Sequence, residues 1–319
     1  MSVLKWEGVY SALLTPFDAA DNIDYKLFEI NVETQIQAGI DGIVLGGSLG
    51  EASTLTYEEK DNLLLFAKEL VENKVPVILN IAEQSTRQAI KVAQNAENNG
   101  ADGLMVLPPM RYKADDREML EYFKNIAANT SLPIMIYNNP HDYKCEVTLD
   151  MFAQLEKIPS IQAIKESTRD VSNVTRLKNR FKNRFKILCG VDTLAFEELV
   201  MGADGWVGGL VDAFPNETVA VYRFLKAGNY EKALKIYRWF LPLLELDIHP
   251  KFAQYIKLAA TQTGIGSENV RAPRLKLVNP ERERILQLIN NSIKARDEIL
   301  CDLPSAVMVN ENGLNKKSI

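Results

Sequence analysis

The stretch QAIKEST (162–168) carries an apolar, strand-like run into a lysine and then at once into polar residues. An ammonium is costly to desolvate, so Lys165 in that place calls for an explanation. At the mouth of a barrel, desolvation lowers a lysine's pKa and supplies the neutral amine needed to attack a carbonyl or imine. An ion pair with a neighbouring carboxylate is the plainer alternative. Tyr137, in YNNP (137–140), ends another apolar run. A tyrosine at an adjacent strand end can relay protons to a Schiff base; a buried tyrosine with one satisfied hydroxyl would look the same. A third feature is the glycine-rich GGSLGE (46–51). Backbone N–H groups of Ser48 and Leu49, with the Ser48 hydroxyl, can cradle a carboxylate, although tight packing alone also asks for glycines. Glu51 reads as an anchor for this loop rather than a reagent. GVDT (190–193) and GGL (208–210) follow the last two strand-like runs, and Gly208 and Gly209 join the substrate-binding candidates.

The elements that position these residues repeat. GIDG (39–42) recurs as GADG at 100–103 and again at 202–205, each time between a helix-like segment and a short apolar run. The first glycine suits the left-handed position that ends a helix, and the spacing fits βα units. Apolar runs fall at Val9–Leu14, Gly42–Leu45, Val75–Ile81, Gly103–Leu107, Pro133–Tyr137, Ile161–Lys165, Phe185–Cys189 and Gly205–Val207. They are continuous rather than alternating, as strands buried on both faces should be. Thr56-x-x-Glu59 and Ser85-x-x-Gln88 read as capping boxes that start helices between them. The expectation is an α/β fold, a (β/α)8 barrel over residues 1–215. An open doubly wound sheet is the alternative, but no Gly-x-Gly-x-x-Gly turn follows the first run. Residues 216–305 are expected to hold the final barrel helix and a C-terminal helical region, with helical periodicity near 216–227, 230–246, 252–264 and 281–297. A flexible tail is expected at 306–319.

Composition narrows the function. The 319 residues are 46% hydrophobic and 25% charged, as in a soluble globular protein. A net charge of −5 gives no reason to expect a nucleic-acid partner. Cys145, Cys189 and Cys301 lie far apart, which fits a reduced cytoplasmic protein. His141 and His249 are the only histidines; both read as structural or peripheral, and neither a metal nor a cofactor is expected. No apolar run is long enough for a membrane span.

GVYSALLTPF, GGSLGE, YNNP and IKES together resemble, in order and spacing, the dihydrodipicolinate synthase / N-acetylneuraminate lyase superfamily. The resemblance runs from about Gly8 to Ala295. It implies a cofactor-free (β/α)8 barrel with a C-terminal helical region, usually a homotetramer (or a dimer), that joins its lysine to a 2-oxo acid. It assigns the Schiff base to Lys165, acid–base work to Tyr137, and carboxylate binding to Gly47, Ser48 and Leu49.

Three departures shape the expected reaction. Dihydrodipicolinate synthases carry an arginine just after Tyr-Asn-x-Pro, where this chain has His141-Asp142-Tyr143. Their interfacial tyrosine aligns with Met110, although Tyr112 can be considered as a substitute. The second threonine of their carboxylate turn, part of a proton relay, is Leu49. Other strings, including GSLGEASTLT and VRAPRLKL, resemble a subgroup linked to hydroxyproline catabolism. The expectation is therefore a lyase or hydrolase acting on a small 2-oxo or cyclic 2-imino acid. Its particular form is a deaminase that dehydrates 4-hydroxy-1-pyrroline-2-carboxylate to 2-oxoglutarate semialdehyde and ammonia. A 2-keto-3-deoxy sugar-acid aldolase or dehydratase is the alternative, ahead of dihydrodipicolinate synthesis or a silent ligand-binding barrel.

Overall fold

The computed structural model describes residues 4–109 and 112–300. Eight parallel strands close into a barrel in chain order: β1 (Gly8–Ala12), β2 (Gly42–Leu45), β3 (Val77–Ile81), β4 (Gly103–Val106), β5 (Ile134–Asn138), β6 (Ile161–Glu166), β7 (Lys186–Cys189) and β8 (Gly205–Gly208). Helices run back outside them, so both strand faces are covered. Apart from half-buried Gln162 and Lys186, every strand residue is buried. This is the (β/α)8 barrel expected from the continuous apolar runs.

Some runs overshoot their strands for local reasons. Pro76 has no N–H to give a ladder, and β3 begins one residue later. The run at Val9–Leu14 leaves the sheet after Ala12, where the N–H of Leu14 donates to the Asp212 carboxylate at 3.0 Å.

The recurring phrase has two structural roles. Gly39, Gly100 and Gly202 adopt φ of 88°, 80° and 104°, the left-handed turn that takes each chain from helix to strand. The aspartate two residues on closes the barrel's N-terminal rim. Asp41, Asp102 and Asp204 accept the backbone N–H of Val9, Val77 and Ile187 respectively, each at 2.8 Å. The Thr56–Glu59 capping box forms in full, whereas at Ser85 the hydroxyl accepts from the N–H of Gln88.

After β8 come the long helices Pro215–Lys226, Tyr230–Leu244, Phe252–Gln262 and Glu281–Leu300. The Tyr230–Leu244 helix packs on both the Pro215–Lys226 and Glu281–Leu300 helices. The tail expected from 306 lies outside the described residues. Among those described, no helix is long and apolar enough to cross a membrane.

Candidate active site at the barrel mouth

Parallel pairing brings the two reactive side chains together. Tyr137 of β5 is in register with Lys165 of β6, and Lys165 with Leu188 of β7. Both Tyr137 and Lys165 line a cavity of about 380 Å³ at the C-terminal ends of the strands. The Lys165 Nζ stands 4.2 Å from the centroid of the Tyr137 ring. Among the described residues no carboxylate comes within 4.0 Å of that nitrogen, so the plain ion pair does not form. Lys165 is only 6% exposed. Burial pulls its ammonium down from the ordinary lysine value, with Tyr143, Asp247 and Asp192 opposing. A lysine that gives up its proton more easily can add to a carbonyl. Gly190 makes the space: a Cβ there would come within 2.7 Å of the Lys165 Cγ and Cε.

Burial pushes the Tyr137 phenol up to about 12, and the Asn139 amide, donating to its oxygen at 3.1 Å, acts against that rise. Tyr137 therefore stays protonated near neutral pH.

The turn at 46–51 forms the second wall. Gly46 takes φ 62°, and its carbonyl accepts from the Asn80 amide at 2.9 Å. Gly50 lets the turn press on the segment just after β1, since a Cβ there would sit 2.7 Å from the Leu13 carbonyl oxygen. Thr15 donates to the Gly50 carbonyl at 2.8 Å. Glu51 is fully buried and anchors the turn to the C-terminal region: it pairs with buried Lys257 and accepts the N–H of Arg271 at 3.1 Å. Arg271 in turn grips Glu59 with both terminal nitrogens, at 2.9 and 2.7 Å.

A third wall comes from the ends of β7 and β8. The Asp192 carboxylate accepts from the Trp206 indole at 2.8 Å and from the N–H groups of Gly209 and Leu210 at 3.1 and 2.8 Å. Gly209 faces the cavity with Leu49 and Asp247.

Of the residues singled out in the sequence, Lys165, Tyr137, Gly47, Ser48, Leu49 and Gly209 meet at this cavity. Gly208 does not; it backs onto Trp206 and Asp192, where a Cβ would find atoms at 3.1 and 3.2 Å. His141 and His249 do line the rim rather than lying apart from it. Met110 falls outside the described residues, and Tyr112 is 54% exposed and away from the cavity.

Sequence reasoning missed several groups. Tyr143, in the short helix Pro140–Tyr143 after β5, shares a hydrogen bond with the Ser48 hydroxyl and sets its ring edge-on to Tyr137 at 5.5 Å. Arg169, from the loop after β6, reaches the cavity with its guanidinium 3.8 Å from Asp142. Asp247 arrives from the link between two C-terminal helices. Loop residues carry no periodic signal, although the tyrosine in PHDY stands only six residues past Tyr137.

A closed (β/α)8 barrel with a lysine and a tyrosine at adjoining strand ends defines a class of barrel enzyme whose chemistry sits at the C-terminal mouth. The chain belongs to the dihydrodipicolinate synthetase family, which it matches over residues 5–292, and is a lyase of that family. It is 34% identical over 276 residues to the 4-hydroxy-tetrahydrodipicolinate synthase of Exiguobacterium sibiricum, covering 86% of this chain and 92% of that protein. The corresponding synthase of Kosmotoga olearia is 31% identical, with coverage of 87% and 95%. Among solved structures, the 4-hydroxy-tetrahydrodipicolinate synthase of Methylacidiphilum fumariolicum SolV superposes with a TM-score of 0.87 at 30% identity, covering 93% and 98%. A prophage protein of E. coli K12 from the same family, solved in complex with pyruvate, gives 0.85 at 26% identity, covering 90% and 99%.

These relatives correct the expected reaction. They are named as synthases, not as deaminases acting on a hydroxylated pyrroline, and the deaminase expectation is overturned. It rests on three departures, a missing arginine, a missing interfacial tyrosine and Leu49 in place of a threonine, and on strings that resemble another subgroup. That inference looked only at aligned positions, whereas the fold supplies a hydroxyl from Tyr143 and a guanidinium from Arg169 at the same cavity.

Proposed function

We propose that this chain is a lyase that holds a short 2-oxo acid, pyruvate in the first instance, as a Schiff base on Lys165 and joins its C3 to an aldehyde. The names of its relatives favour one such reaction, 4-hydroxy-tetrahydrodipicolinate synthesis from pyruvate and aspartate semialdehyde. The observation that carries the proposal is the buried Lys165 Nζ, 4.2 Å from the Tyr137 ring centre in the cavity at the barrel mouth.

The amine adds to the C2 carbonyl, and loss of water leaves an iminium on Lys165. Tyr137 shuttles protons between the leaving oxygen and C3. The N–H groups of Ser48 and Leu49, with the Ser48 hydroxyl held by Tyr143, bind the C1 carboxylate next to Gly47. Gly209 borders the substrate cavity beside Leu49 and Asp247, and Arg169 meets the carboxylate of the aldehyde partner as a planar cation suited to that anion. No cofactor enters these steps. The same proposal extends to a cytoplasmic homotetramer or dimer, which sedimentation of the purified protein would decide.

Borohydride reduction in the presence of pyruvate tests the covalent step. The peptide carrying Lys165 should gain the mass of the reduced adduct, and Lys165→Ala should lose both the adduct and turnover. A label on another lysine would remove the foundation of the proposal. Coupling pyruvate and aspartate semialdehyde to reduction of the cyclic product would then test the particular reaction.

A further inference from the structure

Forming a carbon–carbon bond from an enamine moves two protons. One leaves C3 of the 2-oxo acid, and another must reach the oxygen of the aldehyde under attack. Tyr137 stands on β5, on one flank of Lys165. The other flank, towards β7 and β8, carries a second group that strand ends alone do not reveal.

The link between the Tyr230–Leu244 and Phe252–Gln262 helices runs across the barrel mouth and brings Asp247 into the cavity wall. Its place is fixed on two sides. The N–H of Asp247 donates to the Leu244 carbonyl at 3.0 Å. Its Oδ1 lies over Gly209, so close that a Cβ at 209 would come within 2.7 Å. The half-buried Asp247 thus fills the space that a bare Gly209 leaves above β8.

We propose that Asp247 is a second catalytic group, the general acid that protonates the carbonyl oxygen of the aldehyde partner as the new bond forms. The proposal rests on the Schiff-base assignment of Lys165. In this step the enamine C3 attacks the aldehyde carbon, and the electron pair of the C=O bond moves to oxygen. That oxygen takes the proton of the Asp247 carboxyl while the lysine nitrogen becomes an iminium. Water then releases Lys165, and the carboxylate recovers a proton equivalent to the one lost from C3.

The surroundings keep a proton available. Burial, with the carboxylates of Asp192 and Asp142 nearby, pushes Asp247 well above the usual carboxylate range, and Lys165 acts against this. A carboxylic acid kept neutral by its site is a hydrogen-bond donor where an exposed aspartate would be an acceptor.

A carboxyl that merely balanced the charge of Lys165 would act on every step that uses the lysine. Three readouts on the full chain separate the two roles: borohydride trapping of pyruvate, deuterium entry at pyruvate C3 followed by NMR, and addition to aspartate semialdehyde or glyceraldehyde. In Asp247→Asn and Asp247→Ala, trapping and exchange should persist, changed only as far as the loss of the carboxyl shifts Lys165. Addition should fall about 10²–10⁴-fold, the usual worth of a general acid. Equal loss of all three readouts, or addition unchanged, would overturn the role of Asp247. Wild-type protein that traps and exchanges pyruvate but adds neither aldehyde would overturn it too, with the lysine chemistry intact. Failure of the wild type to trap pyruvate would instead bring down the Schiff-base assignment and this proposal with it.

Discussion

Replacing Gly190 by alanine should disable Lys165 without altering any reacting group. The new Cβ would sit 2.7 Å from the Lys165 Cγ and Cε and 2.2 Å from the Ser167 Oγ. Carbon atoms in comfortable contact stand about 3.5–4.0 Å apart, so the overlap with the lysine stem is about 1 Å. Ser167 can turn its hydroxyl aside. The lysine has less room, because the Tyr137 ring lies at 4.2 Å from its nitrogen. Forcing the stem about 30° from its rotamer costs about 0.5–1.5 kcal/mol, and overpacking a tight interior about 1–3 kcal/mol. Those figures lower Tm by only a few degrees in a chain of this size. Catalysis is more sensitive, since a misplacement of about 1 Å costs about 10²-fold. Gly190 does not occupy the left-handed region, so the effect is spatial rather than a backbone strain. The measurement is the rate of borohydride trapping at fixed pyruvate, with thermal melting alongside. A loss of about 10²-fold in a folded protein is expected. An alanine variant that traps pyruvate as fast as the wild type would refute the reasoning.

Other perturbations address the remaining walls. Tyr137→Phe should keep pyruvate binding and lower kcat about 10²–10⁴-fold; an unchanged kcat would reduce Tyr137 to packing. Ser48→Ala should weaken 2-oxo acid binding by about 0.5–3 kcal/mol, and Tyr143→Phe should shift KM in the same direction; a fall in kcat alone would move both hydroxyls into proton transfer. Because burial lowers the Lys165 pKa, the neutral amine accumulates below the ordinary value of 10.5. The trapping rate should therefore climb with pH and level off short of 10.5, and a rise continuing beyond it would contradict the burial argument. Glu51→Gln leaves Lys257 buried without its carboxylate and should cost about 3–5 kcal/mol, read as a lowered Tm that the double variant with Lys257→Met recovers in part.

The barrel and its two central side chains were legible because they follow from periodicity. Lys165 and Tyr137 end apolar runs, and parallel strands of similar length bring such ends to one rim. Gly39, Gly100 and Gly202 were legible for a similar reason, since a helix that hands over to a strand needs a left-handed residue. The aspartate in each copy of that phrase was equally visible, yet its role as acceptor for a neighbouring strand emerges only once the strands lie side by side. Gly208 misled because GGL shows two adjacent glycines and alternation turns only one of them to the cavity. Tyr143, Arg169 and Asp247 were out of reach for a different reason. Their positions depend on the path of loops, which depends on tertiary contacts rather than on spacing. The mistaken deaminase expectation came from string resemblance to another subgroup together with that blindness: lost groups were visible in the sequence, and where the loops would bring Tyr143 and Arg169 was not.

Glu51 and Lys257 meet across 206 positions of chain. A ribosome delivers Ser48, Tyr137 and Lys165 first and Asp247, Lys257 and Arg271 last, and domains fold in that direction as they emerge. All eight strands precede residue 209, so a barrel can close before the partner of Glu51 has been made. Until then the carboxylate turn has no clamp and the cavity has no wall at Asp247. A polypeptide cut short before Asp247 would lack both that wall and the partner of Glu51. The placement of that one buried pair thus gives the site a timetable: a lysine able to react with cellular carbonyls acquires its pocket only after the helices that follow the barrel strands have been made.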